Sequence, residues 1–155
     1  MKKIIILEGG FNEEHEVSLN SSKEVQQSLK KLSYNYEVIK VDPLNFEKNI
    51  KSIDQDCILF NALHGTFGED GTIQKILEDK EFIYTHSNSD VSKIAFNKNL
   101  TKFFFEKTEI PFIESKIIEK KSLNINLLKV FFNEFNSFII KPVSSGSSFG
   151  VKIFD

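Results

Sequence analysis

The chain has 155 residues, 40% apolar and 12% aromatic, enough for one domain with a core and part of a second. Its net charge of −2 offers no basic field for nucleic acid. All twenty basic residues are lysine, so an anion site must use ammonium, hydroxyl and backbone donors without arginine's planar fork.

Residues 4–7 form a continuous apolar run ended by Glu8 and Gly9-Gly10, the pattern of a buried parallel strand. The run is too short for a signal peptide and lacks a small-residue cleavage site. No run is long enough to span a membrane, so a soluble cytoplasmic protein is expected. Val25, Leu29 and Leu32 recur at helical spacing in a segment expected to begin near Ser18 or Asn20, with Ser18 as its cap. Residues 36–41 read as a second strand, stopped by Asp42-Pro43, and residues 58–60 as a third. The single cysteine, Cys57, excludes an internal disulfide and reads as a small core residue. Ile73, Ile76 and Leu77 give a second helical face, followed by a strand at 82–84.

Residues 89–107 read as helix with a break near Asn97. Beyond Pro111, residues 112–119 read as a strand, and Ser122 as the cap of a helix reaching Phe135 with a stripe of Leu123, Leu127, Val130 and Phe131. Residues 138–140 and 151–154 read as strands around a loop. Strands alternating with helices predict an α/β fold whose N-terminal part, 1–86, is a Rossmann-like parallel sheet, with a second unit over 97–155. In such sheets a ligand sits at the carboxyl ends of the strands.

Two polar clusters fall there. Glu13, Glu14, His15 and Glu16 place four ionisable groups in succession after Gly9-Gly10. A solvated acidic loop accounts for Glu13, and Glu14 stands open between that and a functional role. His64 to Gly71 sets a histidine, Glu69 and Asp70 among three glycines. His64 could simply be a hydrogen-bonded loop histidine, and Asp70 or Thr72 could cap the following helix. The three histidines are far apart and no cysteine accompanies them, so no metal site is expected here. The third cluster is Lys141-Pro142-Val143-Ser144-Ser145-Gly146-Ser147-Ser148-Phe149-Gly150. A lysine at a strand end followed by hydroxyls and glycines suits a phosphate, although no Walker A sequence is present.

Three segments together resemble the D-alanine–D-alanine ligases, and the likeness spans the chain. They are Glu14-His15-Glu16-Val17-Ser18-Leu19, Leu63-His64-Gly65 through Gly71, and Lys141-Pro142 through Gly150. Tyr84-Thr85 and Asn97-Lys98 through Thr101-Lys102 fit the same order. The resemblance implies a pre-ATP-grasp domain over 1–86 and the start of an ATP-grasp central domain over 97–155. It implies ATP-dependent joining of two D-alanines through an acyl phosphate, for peptidoglycan. By the same resemblance Glu14 accepts from the ammonium of the first D-alanine and His64 lies near its carboxylate. Ser147 joins a network with Glu14, Ser148 lines the same loop, and Lys98 and Lys141 bind ATP phosphates. Magnesium is implied too, with ligands expected beyond this sequence. The chain reads as an N-terminal portion, from a truncated gene, a partial sequence or a split protein, and is expected to be inactive alone. Alternatives are a ligase with D-lactate or D-serine as second substrate, and a non-catalytic binding remnant; a homodimer is left open. Two departures stand out: His86 replaces the family's usual glycine after Tyr-Thr, and Asn97 stands where aspartate is common.

Overall fold

The structure is a computed structural model that describes residues 2–106 and 108–155. Strand β1 (Lys3–Gly9) is buried from Ile5 onward. It pairs in parallel with β2 (Tyr36–Val41) on one side and β3 (Cys57–Asn61) on the other. Strand β4 (Ile83–Tyr84) pairs in parallel with β3, so the order is β2-β1-β3-β4. The chain leaves β1 for one neighbour and later returns to the other. The strand order therefore reverses beside β1, and sheets of this topology form their ligand crevice above the strand ends at such a reversal. Ile5, Leu7, Leu59, Ile73 and Leu77 centre the core, joined by Phe46, Ile50 and Phe82. Cys57 is one of these buried residues, and burial raises its thiol pKa.

Helix α1 (His15–Lys31) begins earlier than its apolar spacing suggested. Leu32 follows the helix and is exposed; the residues α1 buries are Ser18 and Ser22. Ser18 is not a cap but an interior residue whose Oγ accepts from Gly9 N at 2.9 Å. Small hydroxyl side chains let the helix lie close to the strand end, at the cost of the apolar stripe that spacing arguments seek. Short α2 (Phe46–Asn49) precedes β3. Helix α3 (Thr72–Asp79) starts after Gly71, with Asp70 accepting from Thr72 N at 3.0 Å.

Helices α4 (Ser89–Phe96) and α5 (Lys98–Phe105) are separated at Asn97, as the sequence indicated. Asn97 has extended backbone and its side chain accepts from Asn99 N and Leu100 N, so it ends one helix and caps the next. The expectation that helix continues to 107 meets a residue outside those described. The strand expected at 112–119 does not form: this stretch is irregular, with Ile113 and Ile117 exposed. Apolar residues alone do not make a strand without a ladder partner. Helix α6 (Ile125–Phe135) is capped by Asn124, not Ser122, which leaves Leu123 outside it. Val130, expected on the apolar stripe, is exposed. Strands β5 (Phe138–Ile140) and β6 (Lys152–Phe154) form an antiparallel ribbon. Among the described residues, no helix is long and apolar enough to cross a membrane.

Candidate functional site

The loop after β1 turns at Gly9 and Gly10 and delivers Glu14 to the positive end of α1. Glu14 is 1% exposed, so its carboxylate needs partners. They come from the other end of the chain: Gly146 N donates to Oε1 at 3.2 Å and Ser147 Oγ to Oε2 at 2.5 Å. Glycine permits this approach: a Cβ on Gly146 would lie 2.9 Å from Oε1 of Glu14 and the carboxylate would have to shift. Both partners are neutral donors.

Asn12 ties the β1 loop to the β3 loop. Its Oδ1 accepts from Glu14 N at 2.8 Å, and its Nδ2 donates to His64 O at 2.7 Å and Thr66 O at 2.8 Å. The β3 loop is also clamped from below, where Asn61 Nδ2 and Gln74 Nε2 both donate to Gly68 O. Asp70 accepts from Phe67 N at 3.0 Å, so it braces its own loop as well as the helix start. The result brings His64 and Glu69 beside Glu14: one potential ligand atom from each lies within 4.8 Å of the others. The meeting of Glu14 and His64 is the one expected of loops that follow neighbouring parallel strands, and Glu69 joins them from the same β3 loop. His64 Nδ1 lies 3.3 Å from Glu69 Oε1, and Ser21 Oγ lies 2.9 Å from His64 Nε2.

The second unit meets this crevice through residues 143–147. Lys98 N donates to Val143 O at 3.0 Å and Lys98 Nζ to Ser145 O at 2.6 Å. Burial depresses the Lys98 pKa, the charge of Lys141 depresses it further, and Glu14 partly opposes them. Lys98 also opens α5, where the positive helix end disfavours a cation. Two mutually repelling ammonium groups and the buried, unpartnered Ser145 Oγ belong to this segment, and an anion would relieve the repulsion between the cations. Ser147 and Ser148 hold φ of 44° and 60°, a left-handed pair in the loop. Of the residues the sequence singled out, Glu14, His64 and Ser147 form one cluster and Lys98 is tied to the same loop through Ser145. Lys141 acts on Lys98 through its charge, and Ser148 is exposed.

The donor set does not suit magnesium. Among the described residues, the one grouping of three ligating side chains is Glu14, His64 and Glu69. One member is an imidazole, and both carboxylates already accept from amide or hydroxyl donors. Magnesium prefers an octahedron of oxygens.

His86 has φ of 124°, a backbone conformation that favours glycine. Histidine at this turn therefore holds a glycine-like geometry and takes on its strain. Next to it, Glu78 accepts from Ser89 N, Ser89 Oγ and Tyr84 Oη, which holds its carboxylate below the ordinary value. Burial, then the bond to Glu78, pushes the Tyr84 phenol up to about 12.

No family model matches the chain. It is 40% identical over 155 residues to the D-alanine–D-alanine ligase of Pelagibacter ubique strain HTCC1062, across 99% of this chain and 50% of that protein. It is 41% identical over 150 residues to the D-alanine–D-alanine ligase of Wolbachia sp. subsp. Brugia malayi strain TRS, across 97% and 42%. Among solved structures it resembles the D-alanine–D-alanine ligase from Bacillus anthracis, with a TM-score of 0.77, 31% identity and coverage of 99% and 49%. It also resembles the ATP complex of a Bacillus anthracis D-alanine–D-alanine ligase, with a TM-score of 0.72, 29% identity and coverage of 99% and 50%. The chain spans about half the length of these relatives.

Proposed function

We propose, for a chain that belongs to the D-alanine–D-alanine ligase family as the counterpart of its members' N-terminal half, that it supplies the first-substrate site and part of the phosphate site of such a ligase. Residues 1–86 serve as the substrate-binding domain and 97–155 as the start of the ATP-grasp domain, in a cytoplasmic enzyme of peptidoglycan synthesis. One observation supports this above the others: a buried carboxylate, Glu14, is held between two distant segments by neutral donors only. An ammonium ion completes such a group, because it brings the charge that amide and hydroxyl donors lack.

In this reading Glu14 accepts from the ammonium of the first D-alanine and so fixes which way its carboxylate points. His64, beside Glu14, faces that carboxylate. Lys98 and Lys141 meet the phosphates of ATP, and Ser147 and Ser148 line the loop between the two ligands. ATP supplies the phosphoryl group that turns the first D-alanine's carboxylate into an acyl phosphate, which the amine of the second D-alanine then displaces. The chain's own part is to hold the attacking carboxylate in line and offset charge on the phosphates. The residues of this chain do not form a magnesium site, and ligands for that ion would come from the C-terminal half.

The test joins this chain to the C-terminal half of one of its relatives and measures binding of each ligand. Glu14→Gln should weaken D-alanine about 10-fold or more and leave ATP nearly unchanged, as loss of a charge-assisted bond predicts. Lys141→Ala should do the reverse. Unchanged D-alanine affinity in Glu14→Gln would show that the site is assigned to the wrong residue.

A further inference from the structure

Helix α1 brings one more side chain to this crevice, and no motif drew attention to it. Ser21 lies part-buried near the middle of α1, with its Oγ 2.9 Å from Nε2 of His64. On the far side of the ring, Nδ1 faces Oε1 of Glu69 at 3.3 Å. The other oxygen of that carboxylate accepts from Gly65 N at 2.9 Å, which fixes the orientation of the Glu69 carboxylate. The carbonyl of His64 is itself held by Asn12 at 2.7 Å. His64 is thus anchored at three points, and both ring nitrogens have partners.

The partners decide which nitrogen carries the proton. The 3.3 Å approach is an ion-pair contact rather than an aligned hydrogen bond, but an ionised carboxylate favours the proton on the nitrogen beside it, which points to Nδ1–H. A hydroxyl both donates and accepts. Ser21 can donate to the bare Nε2 of a neutral ring, or turn its hydrogen and accept from Nε2–H of a charged one. Glu69 therefore sets the tautomer, while Ser21 keeps the ring in place in either charge state. Partners of this kind orient a histidine and fix its basic nitrogen wherever the ring must meet a ligand in one geometry.

We propose that Ser21 is a positioning residue: with Glu69, it locks His64 in the Nδ1–H tautomer and fixes the ring beside Glu14. The functional consequence rests on the reading of Glu14 and His64 as the first-substrate site; the tautomer does not. The order Ser–His–Glu also matches a hydrolase triad, but an oxyanion pocket does not accompany it. The amide of Gly65 is taken by Glu69, and the amide of Ser21 lies within α1.

The experiment uses the 155-residue chain labelled with ¹⁵N-histidine, whose three histidines give separable long-range ¹H–¹⁵N spectra. At pH 8 the wild-type His64 should show a protonated Nδ1 and a hydrogen-bonded, unprotonated Nε2. Ser21→Ala should move Nε2 to the position of a free nitrogen and lower the Nδ1–H population. Glu69→Gln should shift the ring toward Nε2–H, and Ser21→Thr should keep the wild-type pattern. His15 and His86 should stay put in all variants and report an intact fold. A Ser21→Ala spectrum superimposable on the wild type, or a wild-type His64 protonated at Nε2, overturns the proposal. D-alanine added to the same samples should perturb His64, with affinity about 5-fold weaker in Ser21→Ala, the worth of one hydrogen bond. If D-alanine leaves His64 unmoved in every variant while the tautomer responds as stated, the positioning stands and the first-substrate reading falls.

Discussion

The two parts of this chain are both α/β, yet one has a dry core and the other does not. Among the described residues, the buried apolar side chains all lie between Ile5 and Phe82. Helices α5 and α6 bury no residue, and Phe103, Phe132, Ile139 and Ile153 face solvent. The difference is one of layers. Strand β1 has a partner on each side, and its apolar run is covered above and below, whereas β5 and β6 form a two-stranded ribbon covered only in part by α6. A ribbon of two strands with one helix offers too little area to exclude water on both faces. Apolar composition is similar in kind; what differs is the number of elements available to cover it.

The largest expected effect breaks the comparison at its core. Leu59→Ala should cost about 3 kcal/mol in urea unfolding of the chain, as cavity-forming changes in a packed core do. Ile139→Ala should stay within about 0.5 kcal/mol, as at exposed positions. Limited proteolysis should cut mainly after residue 90. Equal losses at the two positions, or equal protection of both parts, would mean that the second unit has a core of its own.

Next comes the contact that joins the parts. In a double-mutant cycle, Glu14→Gln and Ser147→Ala should show a coupling of about 1.5 kcal/mol, typical of a hydrogen bond to a charged group. A coupling near zero would indicate that the 143–147 segment is not held against the first unit in solution.

A smaller effect lies at the turn between them. His86→Gly should raise stability by about 0.5–1 kcal/mol, because relief of the positive φ outweighs the extra freedom glycine gives the unfolded chain. Destabilisation would place the His86 side chain in a contact that offsets its strain.

The smallest effect is electrostatic. The hydroxyl and amide of Ser89, with Tyr84, hold the Glu78 carboxylate below its ordinary value. A depressed carboxylate stabilises the fold above its unfolded pKa, and that contribution fades as pH falls through the folded value. The melting-temperature gap between wild type and Glu78→Gln should therefore narrow on acidification from pH 7 to 3. A gap independent of pH would assign the contribution to hydrogen bonding alone.

The sequence made the sheet legible because its signals are local. Apolar runs bounded by Gly9-Gly10 or Asp42-Pro43 mark β1 and β2, and Asn97 announces a helix break through its own side chain. It misled where one residue type serves two purposes. Ser18 has the chemistry of a cap but lies inside α1 with its hydroxyl on Gly9, and Asn124 outcompetes Ser122. Residues 112–119 carry strand-like apolar residues but lack a neighbour to pair with. Of the site, Glu14, His64 and Ser147 were visible through motifs. Asn12 and Ser21 were not, because their partners lie 52 and 43 residues away and leave no spacing to read.

The bond between Glu14 and Ser147 spans 133 residues, while the sheet beneath it is complete by Tyr84. During synthesis the first unit can therefore form while its central carboxylate still faces water. At about 5–20 residues per second, the roughly sixty residues that follow take several seconds to appear. For that interval the nascent crevice is open, and the ribosome sets when it closes.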